Sequence, residues 1–120
     1  MLTIAANIVV FLVAALHVYI LILEMFFWDK PLGRRAFGLS ADFAVQTKTL
    51  AANQGLYNGF LAAGLFWGLA LGQAGFSIKV FFLLCVFVAG VYGGLTANKK
   101  ILLIQAVPAA LGLVLLFLAA

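Results

Sequence analysis

Charged residues are scarce in this chain. Only 8% of its 120 residues are Asp, Glu, Lys or Arg, whereas about one quarter of a soluble domain is charged. With 68% hydrophobic residues and a mean hydropathy of +1.27, an ordinary soluble domain is excluded. The single cysteine, Cys85, excludes a disulfide or a cysteine-based metal centre within one chain. The composition predicts an integral membrane protein with one domain over residues 1–120.

Other absences exclude further classes of protein. The net charge of +4 comes from basic residues placed between apolar segments, and no basic patch interleaved with aromatic residues indicates nucleic-acid binding. Segments of alternating polarity about ten residues long, which are typical of membrane β-barrels, do not occur. One histidine and one carboxylate on an apolar segment fall short of a metal-ligand set. No cofactor is indicated.

Four apolar segments are present, each close to the length of about 20 residues that crosses the hydrocarbon core. They run approximately over residues 2–27, 50–71, 78–97 and 101–119. The pattern predicts an all-α fold, an integral membrane four-helix bundle. Because the first segment has no basic residue before it and is longer than a signal peptide's apolar region, we expect a retained span.

Basic residues favour one orientation of this bundle. Six of the seven lie in the first connection, residues 28–49, or in the third connection, which joins the third and fourth segments. The second connection holds one. Because cytoplasmic loops are enriched in Lys and Arg, the bias predicts a multi-pass inner-membrane (plasma-membrane) protein with both termini on the extracytoplasmic side. The six are Lys30, Arg34, Arg35, Lys48, Lys99 and Lys100, and the one is Lys79.

Local signals predict three features of the backbone. Pro31-Leu-Gly33 is typical of a turn. Ser40 is suited to cap a helix that begins at Ala41 and continues into the second span. Pro108 lies inside the fourth span and predicts a kink there.

Two ionisable residues lie on one face of the first span. His17 and Glu24 are seven residues apart, about two helical turns or roughly 10 Å along the axis. Because ionisable groups in a span are costly to bury, they are candidate catalytic residues for acid/base chemistry. The alternatives are a buried packing histidine, and a glutamate paired with basic residues of the 28–49 connection.

Polar side chains also gather at one predicted depth on the other spans. Four fall within six residues at the start of the second span, and the third and fourth spans each add one. We expect them to line a ligand-binding pocket in the cytoplasmic half, with packing as the alternative, while the extracytoplasmic half is almost bare except for Asn7. The six are Asn53, Gln54, Tyr57, Asn58, Tyr92 and Gln105.

Glycines recur at helical spacing on two spans. Gly64, Gly68 and Gly72 form one strip on the second span, and Gly90 and Gly94 form another on the third. Such strips let backbones approach closely. They predict either tight packing within the bundle or a contact in a homo-oligomer.

Several runs of residues carry a family resemblance. They are His17-Val-Tyr-Ile, Leu23-Glu-Met-Phe-Phe-Trp28, Gly33-Arg-Arg-Ala-Phe-Gly-Leu-Ser40, Leu50-Ala-Ala-Asn-Gln-Gly-Leu-Tyr-Asn-Gly59, Gly90-Val-Tyr-Gly93, Thr96-Ala-Asn-Lys-Lys100 and Gln105-Ala-Val-Pro108. Together they resemble the small bacterial membrane proteins of the domain of unknown function 1304 family. The resemblance covers nearly the whole chain and implies a four-span inner-membrane protein, but it implies no activity.

Two other four-span families are less similar. The membrane-associated eicosanoid and glutathione metabolism proteins carry an arginine, an asparagine four residues later and a glutamate three after that. Asn53 matches, but Thr49 and Leu56 replace the charged residues, which puts glutathione binding in doubt. Small multidrug resistance transporters have a carboxylate in the first span, whereas Glu24 lies near the end of this one.

The sequence therefore leaves three functions open. The first is a protein in the lipid bilayer that binds or transforms a small lipophilic or amphipathic ligand. The second is a transporter or channel for a small solute or protons. The third is a structural or assembly protein of the membrane.

Overall fold

The computed structural model describes residues 1–120 and contains helices but no strands. Its α-helices are α1 (Leu2–Phe26), α2 (Pro31–Phe37), α3 (Ala41–Ala70), α4 (Phe76–Thr96) and α5 (Val107–Ala119). A 3₁₀ turn, Gly72–Gly75, precedes α4, and a π-helical turn, Leu102–Ala106, precedes α5. The prediction of an all-α fold is confirmed.

Three helical segments are long and apolar enough to cross a membrane: Leu2–Phe26, Gly72–Thr96 and Leu102–Ala119. They overlap the first, third and fourth predicted spans. The helix α3 is 30 residues long, but its amides and glycines lower its hydropathy. A span within residues 50–71, and with it the four-span bundle, stays a prediction.

The first of two compact units comprises residues 1–15 and 61–120. On α1, Val10 and Val13 face its interior and lie on one side of the helix because they are three positions apart. Leu65, Leu83 and Val86 meet them from α3 and α4, and none of the five side chains is more than 2% exposed. Apolar packing therefore holds this unit together.

Four of the five glycines of the two strips are packed against the chain itself, whereas Gly72 is exposed and a Cβ atom there would have no neighbour within 4 Å. A Cβ atom at Gly90 would lie 2.6 Å from the backbone nitrogen of Ala106, and one at Gly68 would lie 2.6 Å from Cγ of Lys79. Gly64 and Gly94 are likewise closed off by the side chains of Phe82 and Leu102, respectively. These contacts favour packing within the bundle over an oligomer contact as the role of Gly64, Gly68, Gly90 and Gly94.

The second compact unit, residues 16–60, contains the end of α1, all of α2 and most of α3. The helices α1 and α3 approach closely at Gly55, where a Cβ atom would lie 2.6 Å from Cγ of Met25 and 3.1 Å from Cβ of Glu24. A side chain at position 55 would push α3 away from α1. Gly55 therefore brings the polar start of α3 against the end of α1.

The prediction of a turn at Pro31-Leu-Gly33 is wrong, because these residues begin α2. Proline occupies the first turn of this helix, where no intrahelical partner is needed for a backbone N–H. The helix ends at Gly38, whose φ of 66° is left-handed, and the N–H groups of Gly38 and Leu39 both donate to the carbonyl of Arg34.

The predicted start of α3 is confirmed. The backbone N–H of Phe43 donates to Oγ of Ser40 over 3.2 Å, and the N–H of Ala44 donates to the Ser40 carbonyl over 3.0 Å. Ser40 thus caps the helix. From Ala41 the helix continues without a break to Ala70.

Pro108 disturbs the last helix as expected, although the disturbance takes the form of a π turn. Because Pro108 has no backbone N–H, it cannot complete the α-helical ladder. The N–H of Val107 donates to the carbonyl of Leu102, five residues back. Proline therefore accounts for the change of helix type upstream of α5.

The prediction that Lys79 belongs to a connecting loop is wrong. Lys79 lies within α4 and is only 4% exposed. The α3–α4 connection is thus left without a basic residue. All the basic residues in connections are then the six in the first and third, so the difference in charge between the connections is larger than the sequence predicted.

Candidate functional site

Glu24 and Asn58 form the centre of the candidate site. Glu24 lies in the last turn of α1, and Asn58 lies one turn beyond Gly55 on α3. The amide Nδ2 of Asn58 donates to Oε1 of Glu24 over 2.6 Å and also to the backbone carbonyl of Gln54 over 3.2 Å. Both side chains are half-buried. The structure therefore brings together two residues that the sequence singled out separately.

The ion pair of the 28–49 connection does not involve Glu24. Nζ of Lys48 lies 3.2 Å from Oδ2 of Asp29. The hydrogen bond from Lys48 holds the pKa of Asp29 below its ordinary value of 3.8. The interpretation of Glu24 as a partner for basic residues of this connection is therefore wrong, since its partner is Asn58.

The other polar residues at the start of α3 lie on its surface. Asn53, Gln54 and Tyr57 are all exposed, and the Tyr57 ring packs edge-on against Phe60 with centroids 6.0 Å apart. Within one chain these side chains form an open face rather than the lining of an enclosed pocket. We call Asn53, Gln54 and Tyr57 the amide face.

His17 is fully buried. It lies on α1 seven residues before Glu24 and has 0% exposure. A catalytic acid or base must come within hydrogen-bond distance of the group whose proton it transfers. With no accessible surface, His17 is out of reach of a substrate in this conformation.

Two candidate binding residues lie in the other compact unit. Tyr92 is 69% exposed near the end of α4, and Gln105 is half-buried within the π turn. The side chains of both form no hydrogen bond in the chain. The structure therefore does not assign either residue to the Glu24–Asn58 centre.

Aromatic and hydroxyl groups fix the chain between α1 and α3. Nε1 of Trp28 donates to Oγ1 of Thr47 over 3.0 Å, and the same Thr47 hydroxyl donates to the carbonyl of Phe43 over 2.6 Å. The rings of Trp28 and Phe37 lie 4.9 Å apart. These contacts tie the start of α3 to the chain that follows α1.

One polar pair was missed by reasoning from the sequence. Nζ of Lys79 donates to Oδ1 of Asn7 over 3.0 Å, within the first compact unit. The sequence did contain a signal for this pair. Asn7 and Lys79 are each an isolated polar residue in an apolar segment, and each lies near the end of its segment that is predicted to be extracytoplasmic. Assigning Lys79 to a loop concealed the pair.

Comparison with known proteins supports the resemblance seen in the sequence. A family described as "Protein of unknown function (DUF1304)" matches residues 11–117. The "Uncharacterized protein YpaA" of Lactococcus lactis subsp. lactis (strain IL1403) is 34% identical over 114 residues, which are 93% of this chain and 96% of that protein. No solved structure matches the chain. The chain therefore belongs to the DUF1304 family of proteins of unknown function.

Proposed function

We propose that this chain is a four-span inner-membrane protein that binds a small amphipathic ligand at the amide face and the adjoining Glu24–Asn58 pair. The observation that carries the proposal is the 2.6 Å contact between Asn58 Nδ2 and Glu24 Oε1. It holds a carboxyl group in place beside side chains whose polar atoms are exposed.

The chemistry of this surface favours a ligand head with N–H or O–H donors. The carboxyl of Glu24 has acceptor positions beyond the one that Asn58 occupies, and amides both donate and accept. Next to these polar groups, Leu56 and Phe60 are 43% and 55% exposed. An amphipathic molecule can place its polar head against Asn53 and Gln54 and its apolar part against Leu56 and Phe60.

Binding is favoured over acid/base catalysis by the position of His17. General acid–base chemistry between His17 and Glu24 would require a substrate or water between them, because about two turns separate them on α1. His17 has no exposed surface. Glu24 alone is in reach of a ligand on the amide face.

The test is a binding measurement with dodecylamine, an amphiphile whose head carries N–H donors, on protein purified in maltoside micelles. Asn53→Leu and Gln54→Leu each remove an exposed polar group, so the fold is retained. Loss of one hydrogen bond predicts a dissociation constant about fivefold larger. Gln46→Leu, an exposed position about two turns earlier on α3, serves as the control. Equal affinities for the wild type and the Asn53 and Gln54 variants would refute the site.

A transporter is the second candidate, favoured by the Asn7–Lys79 pair. That pair adds polar groups to a part of the chain that the sequence left almost bare. Along α1, however, the inward residues that follow Asn7 are Val10, Val13 and Ala14, all buried and apolar. Flux of protons or ammonium into proteoliposomes, abolished by Lys79→Met, would favour transport over binding alone.

The proposed topology can be tested with two cysteines in a Cys85→Ala background. Ala36 lies on α2 and Gln73 on the 3₁₀ turn, and both are exposed. We expect a membrane-impermeant maleimide to label Gln73→Cys in intact cells and Ala36→Cys only after lysis. Labelling of both positions from one side would contradict a span in α3, and the reverse pattern would contradict the orientation.

A further inference from the structure

A buried lysine lies on α4 within the first compact unit. Lys79 comes three residues after the start of α4 and is 4% exposed. Its Cγ packs where Gly68 leaves room, since a Cβ there would lie 2.6 Å from this atom. Nζ lies 3.0 Å from Oδ1 of Asn7. Glycine packing and one amide therefore fix the position of the ammonium group.

The ammonium group has more donors than the chain gives it acceptors. Lysine carries three N–H donors, and Asn7 accepts one of them. No carboxylate pairs with Lys79, because the ion pair of the chain is Asp29–Lys48. A buried charge without a counter-charge is costly, especially in an apolar segment. An anion next to Nζ would supply the counter-charge that no side chain of the structure provides.

A cavity of about 350 Å³ lies beside this lysine. Such a volume falls within the range of small-ligand pockets, about 300–1,000 Å³. Thr3, Asn7, Gln73 and Lys79 supply polar groups to its wall, and Phe76 and Leu116 supply apolar surface. Ala120 also lines it.

We propose that this cavity binds the anionic head, phosphate or carboxylate, of an amphipathic molecule. Lys79 neutralises the charge of the head. The hydroxyl of Thr3 and the amides of Asn7 and Gln73 supply further donors, since the Asn7 oxygen faces Lys79 and leaves its NH₂ group for the ligand. The apolar wall accommodates the carbon chain next to the head.

Two variants separate a binding role for Lys79 from a structural one. Lys79→Met keeps the apolar stem and removes the charge. Asn7→Asp puts a carboxylate at the position of the amide, 3.0 Å from Nζ, so the anion site is filled by the protein itself. A solely structural lysine would be satisfied or stabilised by this aspartate, and ligand affinity would not change.

The experiment measures the dissociation constant of dodecyl phosphate for purified full-length protein in maltoside micelles. We expect affinity to fall about tenfold or more in Lys79→Met and in Asn7→Asp. Lys100→Met, which removes an exposed lysine, should stay within about twofold of the wild type because exposed charges are screened. Thermal unfolding confirms that each variant is folded, and Asn7→Asp is expected to unfold no earlier than the wild type.

Competition identifies the source of the anion. Displacement of dodecyl phosphate by inorganic phosphate indicates a free anion, whereas displacement by dodecanoate but not by inorganic phosphate indicates the head of a lipid or fatty acid. Dodecyltrimethylammonium, with the opposite charge, should not compete. Absence of dodecyl phosphate binding, or equal affinity in folded Lys79→Met, would overturn the proposal.

Discussion

Replacing Gly90 by alanine should destabilise the protein, because α4 meets the π turn backbone to backbone at this position. The added Cβ would lie 2.6 Å from the nitrogen of Ala106, and 3.0 Å from both its Cα and its Cβ. Ordinary van der Waals contact begins at 3.4 Å. Because Ala106 is itself part of a helical backbone, no side-chain rotation can relieve the overlap. The two segments must separate by several tenths of an ångström.

The expected cost is about 1–2 kcal/mol of unfolding free energy. Inserting a methyl group into a packed interior costs typically about 1–3 kcal/mol. Alanine gains roughly 0.5–1 kcal/mol over glycine in a helix, which offsets only part of this. Gly93→Ala is the matched control, because its Cβ would lie 3.1 Å from a side-chain methyl of Ile101 and not against backbone, so a shift of that side chain by a few tenths of an ångström makes room. We expect this variant to be near neutral.

The assay is reversible unfolding in mixed micelles of dodecyl sulfate and maltoside. The loss of helix is monitored by circular dichroism. Native mass spectrometry of the same samples reports the oligomeric state. A Gly90→Ala variant as stable as Gly93→Ala would refute the packing argument. A change of oligomeric state at unchanged stability would instead identify the glycine as an oligomer contact.

Three further predictions concern the second compact unit. Thr47→Val removes the acceptor of the Trp28 N–H and should cost about 1 kcal/mol of unfolding free energy, whereas Thr47→Ser should cost less; equal losses would contradict the hydrogen bond. Lys48→Ala should raise the pKa of Asp29 toward its ordinary value of 3.8, as followed by NMR titration. Because the folded pKa is depressed, the stabilisation from this pair is present at neutral pH and is lost as pH falls below about 4. Gly38→Ala forces a φ of 66° on alanine and should lower stability by about 1 kcal/mol, while Gly38→Asn should lower it less.

Long apolar runs and a serine cap were enough to predict much of the fold. The three helical segments that are long and apolar enough to cross a membrane follow from hydropathy alone, and the start of α3 follows from Ser40. The helix α2 was not predictable in this way, because seven residues are too few for a periodic signal and Pro31 and Gly33 are common in turns. In the structure Gly33 is buried against the backbone of Phe27, a contact that the sequence does not reveal.

The candidate site was predictable in part. Glu24 and Asn58 were identified because polar residues are rare in such a chain, but their pairing depends on how closely α1 approaches α3 at Gly55. Helical spacing shows which residues share a face, but it does not show which face is covered. For that reason the amide face was expected to be enclosed, although the structure leaves it open. Lys79 was misassigned for a different reason, because basic residues usually lie in the connections between spans.

The π turn at Leu102–Ala106 has a consequence for how this chain tolerates changes of length. A π turn contains one residue more than the α-helical turn that it replaces, so it acts as an insertion retained within a helix. Downstream, Ala109, Gly112 and Leu116 are buried. Deleting one residue of the turn would leave an ordinary α-helical turn in its place, so these three residues would keep their side of the helix. A single codon lost within Leu102–Ala106 should therefore leave the inner side of α5 in place, whereas the same loss between Ala109 and Gly112 would rotate the rest of the helix by about 100° and displace Gly112 and Leu116 from the interior.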